Sequence, residues 1–237
     1  MATRRSWHLF GARNQARSGS SGSSGSSPAA VTVGELGPVE FIARLDQLVA
    51  VYAAAMRPAP ELLAGRRTIM AGHAGNPGFR ALAVTDDGTG ETVGFGYGFH
   101  GAAGQWWHDT VSRALAARSG DQAAAAWLDD SFEVAELHVV PGHQGHGVGA
   151  GVLAELHVVP GHQGHGVGAG VLLRLTAGRA ERTALLSTRD ADTPARRLYR
   201  GTGFTDLLTA FRFFPGGDPP YAVMGAELPL RTRPARS

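Results

Sequence analysis

The 237-residue chain contains no cysteine and no lysine. The first absence excludes disulfides, thiolate metal sites and a cysteine nucleophile. The second means that all 22 basic residues are Arg, so the N-terminus is the one primary amine of the protein. No apolar run approaches the roughly 20 residues that a membrane-spanning helix requires. The opening "MATRRSWHLFGARNQA" lacks the apolar core of a secretory signal. Rich in Arg and Ser and free of acid, it has a faint likeness to an organelle transit peptide, but an engineered or misassigned leader is the preferred reading. It runs into "RSGSSGSSGSS" (17–27), a flexible linker by composition. Residues 1–30 are therefore set apart as leader and linker, 31–230 form one domain, and 231–237 are a basic tail. Cytoplasmic localisation is expected.

The two ends of the chain are basic and hold no acidic residue. Arg4, Arg5, Arg13 and Arg17 precede residue 28, and Arg231, Arg233 and Arg236 close the chain. That leaves 15 Arg against 20 acids in the body, a net charge of about −5, whereas a nucleic-acid surface requires a basic body. Nucleic acid and membrane are thus excluded as partners.

The body alternates in pattern. Phe41, Ile42, Leu45, Leu48, Val49 and Tyr52 follow helical spacing over 39–56, with Pro58 and Pro60 stopping that helix and Pro60–Ala64 opening another. "FRALAVT" and "ETVGFGYGFHG" read as strands joined by the turn "DDGTG". Residues 105–129 are helical, 131–140 and 182–190 are strands, and Thr193 caps a helix with Pro194 at its first position. Two further strands, "FTDLLTAFRFF" and "YAVMGAEL", finish the domain. The order specifies an α/β fold with a mixed sheet.

Between the strand at 131 and that at 182 lies an exact repeat. Ala135–Leu153, "AELHVVPGHQGHGVGAGVL", recurs without a gap as Ala154–Leu172. Strand, Gly-rich loop and helix in sequence place backbone N–H groups at the positive end of a helix, which suits a phosphate. Gly145, Gly147 and Ala150 also satisfy a dinucleotide fingerprint, but that motif opens the first strand–helix unit of a parallel sheet, and here it follows antiparallel strands. Six of the ten His fall in the repeat: His138, His143, His146, His157, His162 and His165. They make a metal site an alternative, although one copy holds three and the loop offers no acidic ligand, so no metal is expected.

The loop Gln144-Gly145-His146-Gly147-Val148-Gly149, and again Gln163-Gly164-His165-Gly166-Val167-Gly168, resembles the acetyl-CoA signature of the GNAT superfamily of N-acetyltransferases. "RRLYRGTGF" (196–204) is similar to that family's second signature, and the element order matches over roughly 31–230. The resemblance implies a GNAT-like, mostly antiparallel sheet flanked by helices. It implies acetyl-CoA as co-substrate, its pyrophosphate on the loop and its pantetheine arm along the backbone of Leu137, Val139 and Val140, or of Leu156, Val158 and Val159 in the second copy. It implies a primary-amine acceptor, direct attack in a ternary complex, and a homodimer as a common assembly. Glu133 then stands at the general-base position, with Glu136 as rival, and Tyr199 at the position of the thiol's proton donor. Each has a plainer reading: paired carboxylates, and a Tyr that simply packs. Trp106 and Trp107 either line the acceptor pocket or pack the 105–129 helix. A non-catalytic acyl-CoA-binding module is the alternative from another functional class.

The fold has one slot for the repeated unit. If the first copy fills it, the strand keeps Phe132, Glu133 and Val134, a helix runs over 148–158, and Leu173 is exchanged for Ala154, which costs about 2–3 kcal/mol at a buried site. If the second fills it, the strand takes Gly151, Val152 and Leu153 instead, and the base position becomes Val152. The balance favours the first copy because it retains Glu133.

Overall fold

The structure, a computed structural model, describes residues 30–140, 166–214 and 219–230. Strand β1 (Val31–Leu36) leads into helices α1 (Pro38–Ala43) and α2 (Leu45–Met56), a short 3-10 turn and α3 (Leu63–His73). Hairpin strands β2 (Arg80–Asp86) and β3 (Thr92–His100) follow, then α4 (Trp106–Ser119), α5 (Asp121–Leu128) and β4 (Ser131–Val139). The chain ends with α6 (Val167–Thr176), β5 (Thr183–Arg189), α7 (Pro194–Gly201), β6 (Thr205–Phe211) and β7 (Tyr221–Glu227). The helix expected over 39–56 is two, parted at Arg44, and that expected over 105–129 breaks at Gly120, where φ is +89°. Thr193 caps α7 as the sequence specified, accepting from the Arg196 N–H at 3.1 Å.

The strands form one sheet in the order β1-β2-β3-β4-β5-β7-β6, antiparallel except between β4 and β5. One face carries α1–α3 over the first half and α4–α5 over the second; α6 and α7 pack into the main core on the other. Strand β3 shows why its sequence alternates glycine with aromatics. Phe95, Tyr97 and Phe99 fill the core under α1–α3, while Gly94, Gly96 and Gly98 let the opposite side close in. A Cβ on Gly96 would come within 2.9 Å of Val171 on α6, and one on Gly98 within 2.6 Å of the Phe132 ring.

The repeated unit is divided between its copies. Strand β4 takes its last five residues from the first copy, and α6 takes its first six from the second. Both sets of unique flanking residues therefore keep their contacts. Phe132 is fully buried, Glu133 binds His108, Arg174 Nη1 donates to the Val33 carbonyl at 2.7 Å, and Leu175 is fully buried. The helix expected over 148–158 lies outside the described residues.

Candidate active site

Registered pairs join β4 to β5 only at Ser131–Thr183, Phe132–Ala184 and Glu133–Leu185. Beyond that point β4 continues along β3 to Val139, and β5 continues along β7 to Arg189. The two central strands thus part, and among the described residues the β5-facing backbone of β4 from Val134 to His138 has no strand partner.

A bulge in β4 decides what surrounds this opening. Tyr97 pairs with Glu136 and Gly98 with Val134, so Ala135 is the extra residue. Strict alternation would put Glu133 and Glu136 on opposite faces; the inserted residue restores them to one. Both carboxylates come out on the face of Phe95, Tyr97 and Phe99, opposite α6.

Each carboxylate is buried in a polar cluster of its own. Glu133 accepts from His108 Nδ1 on α4 at 2.8 Å, beneath Gly101, where a Cβ would collide with the carboxylate. Burial raises the Glu133 carboxyl above its ordinary range, and the hydrogen bond to Glu133 raises the His108 imidazole. Glu136 is met by Arg66 Nη1 from α3 at 3.1 Å, by His138 Nε2 at 3.0 Å and by the Tyr97 hydroxyl at 3.3 Å. The Arg66 guanidinium also lies 4.7 Å over the Tyr52 ring. The first turn of α4 straddles the parted strands, since Trp107 Nε1 donates to Ser187 Oγ on β5 at 3.2 Å while His108 holds β4. Trp106 is exposed and stacks on Phe214 at 5.4 Å.

On the other face, α6 begins at Gly166 with no side-chain cap and no acid in its first turn. Its leading N–H groups, among them those of Val167 and Gly168, have no intrahelical acceptor. A Cβ on Gly168 would sit 3.1 Å from Leu198 of α7, so α7 abuts the start of α6. Tyr199, one residue on, is buried against Phe204 with ring centroids 5.9 Å apart. Its hydroxyl makes no hydrogen bond among the described residues, and burial pushes its pKa up to about 12. Arg196 anchors α7 between Asp190 and Asp206.

Of the residues singled out in the sequence, the structure brings Glu133, Glu136, Leu137, Val139 and Val140 to the opening. Leu137, Val139 and Val140 pack on the main core. Gly166, Val167 and Gly168 start α6, and Tyr199 lies on the adjoining helix. Gln144, Gly145, His146, Gly147, Val148, Gly149, Leu156, Val158, Val159, Gln163, Gly164 and His165 lie outside the described residues, as do five of the six repeat histidines. Arg66, His73, Tyr97 and His108 were not singled out, because they stand 24 to 70 residues from their partners and no local pattern marks them.

No protein-family model matches the chain. A GCN5-like protein acetyltransferase of Mycobacterium tuberculosis (strain ATCC 25618 / H37Rv) is 31% identical over 226 residues, covering 85% of this chain and all of the relative. Among solved structures, one provisionally assigned as a phosphinothricin N-acetyltransferase superposes with a TM-score of 0.52 at 15% identity, over 84% of this chain and 99% of that one. A provisionally assigned GNAT-family acetyltransferase from Desulfovibrio desulfuricans gives 0.49 at 16% identity, over 84% and 99%. The 31% identity to the mycobacterial acetyltransferase, over 85% of this chain and the whole of that relative, shows that the chain belongs to the GNAT family of GCN5-like acetyltransferases.

Proposed function

We propose that the protein transfers an acetyl group from acetyl-CoA to a primary amine by direct attack in a ternary complex. The parting of β4 from β5 beyond Glu133–Leu185 carries this reading. The β4 backbone from Val134 to His138, which faces away from β3 without a partner on β5, suits the amide-bearing arm of acetyl-CoA. The N–H groups at the start of α6 that have no acceptor within the helix suit its pyrophosphate. Bound there, acetyl-CoA supplies the activated acetyl carbon.

The chain has no cysteine to carry the acetyl group, so the amine nitrogen bonds to the acetyl carbon directly as the carbon–sulfur bond breaks. Glu136 is proposed to take up the amine's proton: it lies past the parting point and is hydrogen-bonded to the buried Tyr97, which in turn meets the half-buried His73. A second reading gives that role to Glu133 with His108. It is favoured by the burial that raises the Glu133 carboxyl above its ordinary range, the direction that makes a carboxylate a better base. Tyr199, protonated at neutral pH with its pKa near 12, is proposed to donate a proton to the departing thiolate.

The test is a calorimetric titration with acetyl-CoA, followed by thiol release against a polyamine, an aminoglycoside, an amino-acid amide and a peptide with a free N-terminus. Affinity on the order of micromolar, at one site per chain, and release with at least one amine are expected. Tyr199→Phe should then keep binding but lower kcat by roughly 10- to 100-fold. Binding without release for any amine would make the protein a non-catalytic acyl-CoA-binding module. No binding by cooperatively melting protein would overturn the reading altogether.

A further inference from the structure

A line of hydrogen bonds runs away from the opening behind Glu136. Tyr97 is fully buried, with the rings of Phe41, Phe79 and Phe95 around it. Its hydroxyl oxygen lies 3.3 Å from Glu136 Oε1 and 3.0 Å from His73 Nδ1. His73 occupies the last turn of α3 and is half-buried. A buried phenol is satisfied by one acceptor; this one has a candidate on each side for its single hydrogen. We propose that Tyr97 and His73 form a proton relay that carries the amine's proton from Glu136 out of the acceptor cleft to solvent. The relay rests on Glu136 as the group that deprotonates the amine.

The hops balance. Protonated Glu136 donates to the Tyr97 oxygen, and the Tyr97 O–H proton passes to His73 Nδ1. The proton on His73 Nε2 leaves to water; a half-turn of the half-exposed ring then brings Nδ1–H to solvent, where water takes that proton as another is gained at Nε2, and the return turn restores the starting tautomer. Nothing is oxidised, and the carboxylate is free for the next amine. The groups around the relay are few. His73 faces Tyr97 and the Phe99 ring, with Glu136 of β4 and Arg66 of α3 acting on it at longer range. Tyr52 of α2 and His138 of β4 close the far side of the Arg66–Glu136 pair. Burial lowers the His73 pKa, Glu136 opposes that shift and Arg66 adds to it. The imidazole is therefore neutral at pH 7, which leaves Nδ1 able to accept. Burial also raises the Tyr97 phenol well above its ordinary range, so it passes protons only by simultaneous gain and loss.

The experiment follows acetyl-amine formation from pH 6 to 9 with whichever of the four amines named above reacts fastest. His73→Ala should lower kcat about tenfold or more with the amine KM within about twofold, and added imidazole should restore at least half of the loss. Tyr97→Phe, which keeps the ring packing, should lower kcat similarly and not respond to imidazole. If His73→Ala does not melt cooperatively, His73→Gln replaces it, with a lowered and pH-flattened kcat as the expected result. Both variants turning over within about twofold of the parent, or a His73→Ala loss that imidazole leaves untouched, would overturn the relay. Glu136→Gln separates the two ideas. If it stops turnover while the relay variants are unimpaired, the base stands and the relay alone falls; if it turns over normally, the base assignment fails and takes the relay with it.

Discussion

Removing either copy of the repeat yields the same chain, 19 residues shorter, and its stability can be worked from the structure. Strand β4 hands over at Val140 and α6 begins at Gly166, so 25 residues connect them and six would remain. The shortened chain still spells every residue of β4 and α6, because the remaining copy supplies both parts, and the unique anchors on either side are untouched: Phe132 in the core, Glu133 with His108, Arg174 with Val33. The change is then one of loop closure, (3/2)RT ln(25/6), or about 1.3 kcal/mol in favour of the shorter protein. For a domain of this size that raises Tm by roughly 3–5 °C. A six-residue link is within the ordinary range for a strand–helix connection. Scanning calorimetry of both proteins in one buffer, with acetyl-CoA titrated into each, makes the comparison. A lower Tm, or a loss of binding, in the shortened chain would refute the division of the unit into a first-copy strand and a second-copy helix.

Two further outcomes are expected. The Glu133 hydrogen bond holds the folded-state pKa of His108 above its ordinary value, so its stabilisation is complete below about pH 6.5 and is lost as pH rises through the higher folded value. The Glu133 carboxyl, raised by burial, acts in the same direction at lower pH, because the fold holds its proton more tightly than the unfolded chain does. Urea midpoints should therefore fall between pH 6 and pH 9, and fall less in His108→Gln; equal falls would refute the linkage. Gly98→Ala sets a Cβ 2.6 Å from the Phe132 ring and 2.5 Å from the Glu133 carbonyl oxygen. It should cost about 1–3 kcal/mol, read as a lowered Tm. Gly34→Ala on β1, with nothing within 4 Å, is the matched control, and equal effects would show that the glycine side of β3 is not tightly packed.

Much of the frame was legible in the chain. Periodicity marked the strands, and Thr193 and Pro194 marked the start of α7; that the alternating glycines of "GFGYGFHG" admit a close neighbour on one side came only from the packing. The site was legible only in part. Glu133, Glu136 and Tyr199 could be named because two short local signatures carry them. Their partners could not: Arg66 reaches Glu136 across 70 residues, Tyr97 across 39, and His108 reaches Glu133 across 25. Side chains that meet only after the sheet is assembled leave no trace in local spacing.

The sequence by itself determined the class of fold, the family signatures, the absence of any thiol to carry an acyl group, and the existence of two equal candidates for one structural slot. Tertiary structure decided how that slot is filled, because only packing distinguishes identical segments, and it does so through the unique residues on either side. It also decided the chemistry of the cleft. One bulged residue, Ala135, turns β4 by half a period, and that turn, which strand alternation alone would not supply, sets both carboxylates on the face of Phe95, Tyr97 and Phe99 and brings Glu136 against Tyr97 and Arg66.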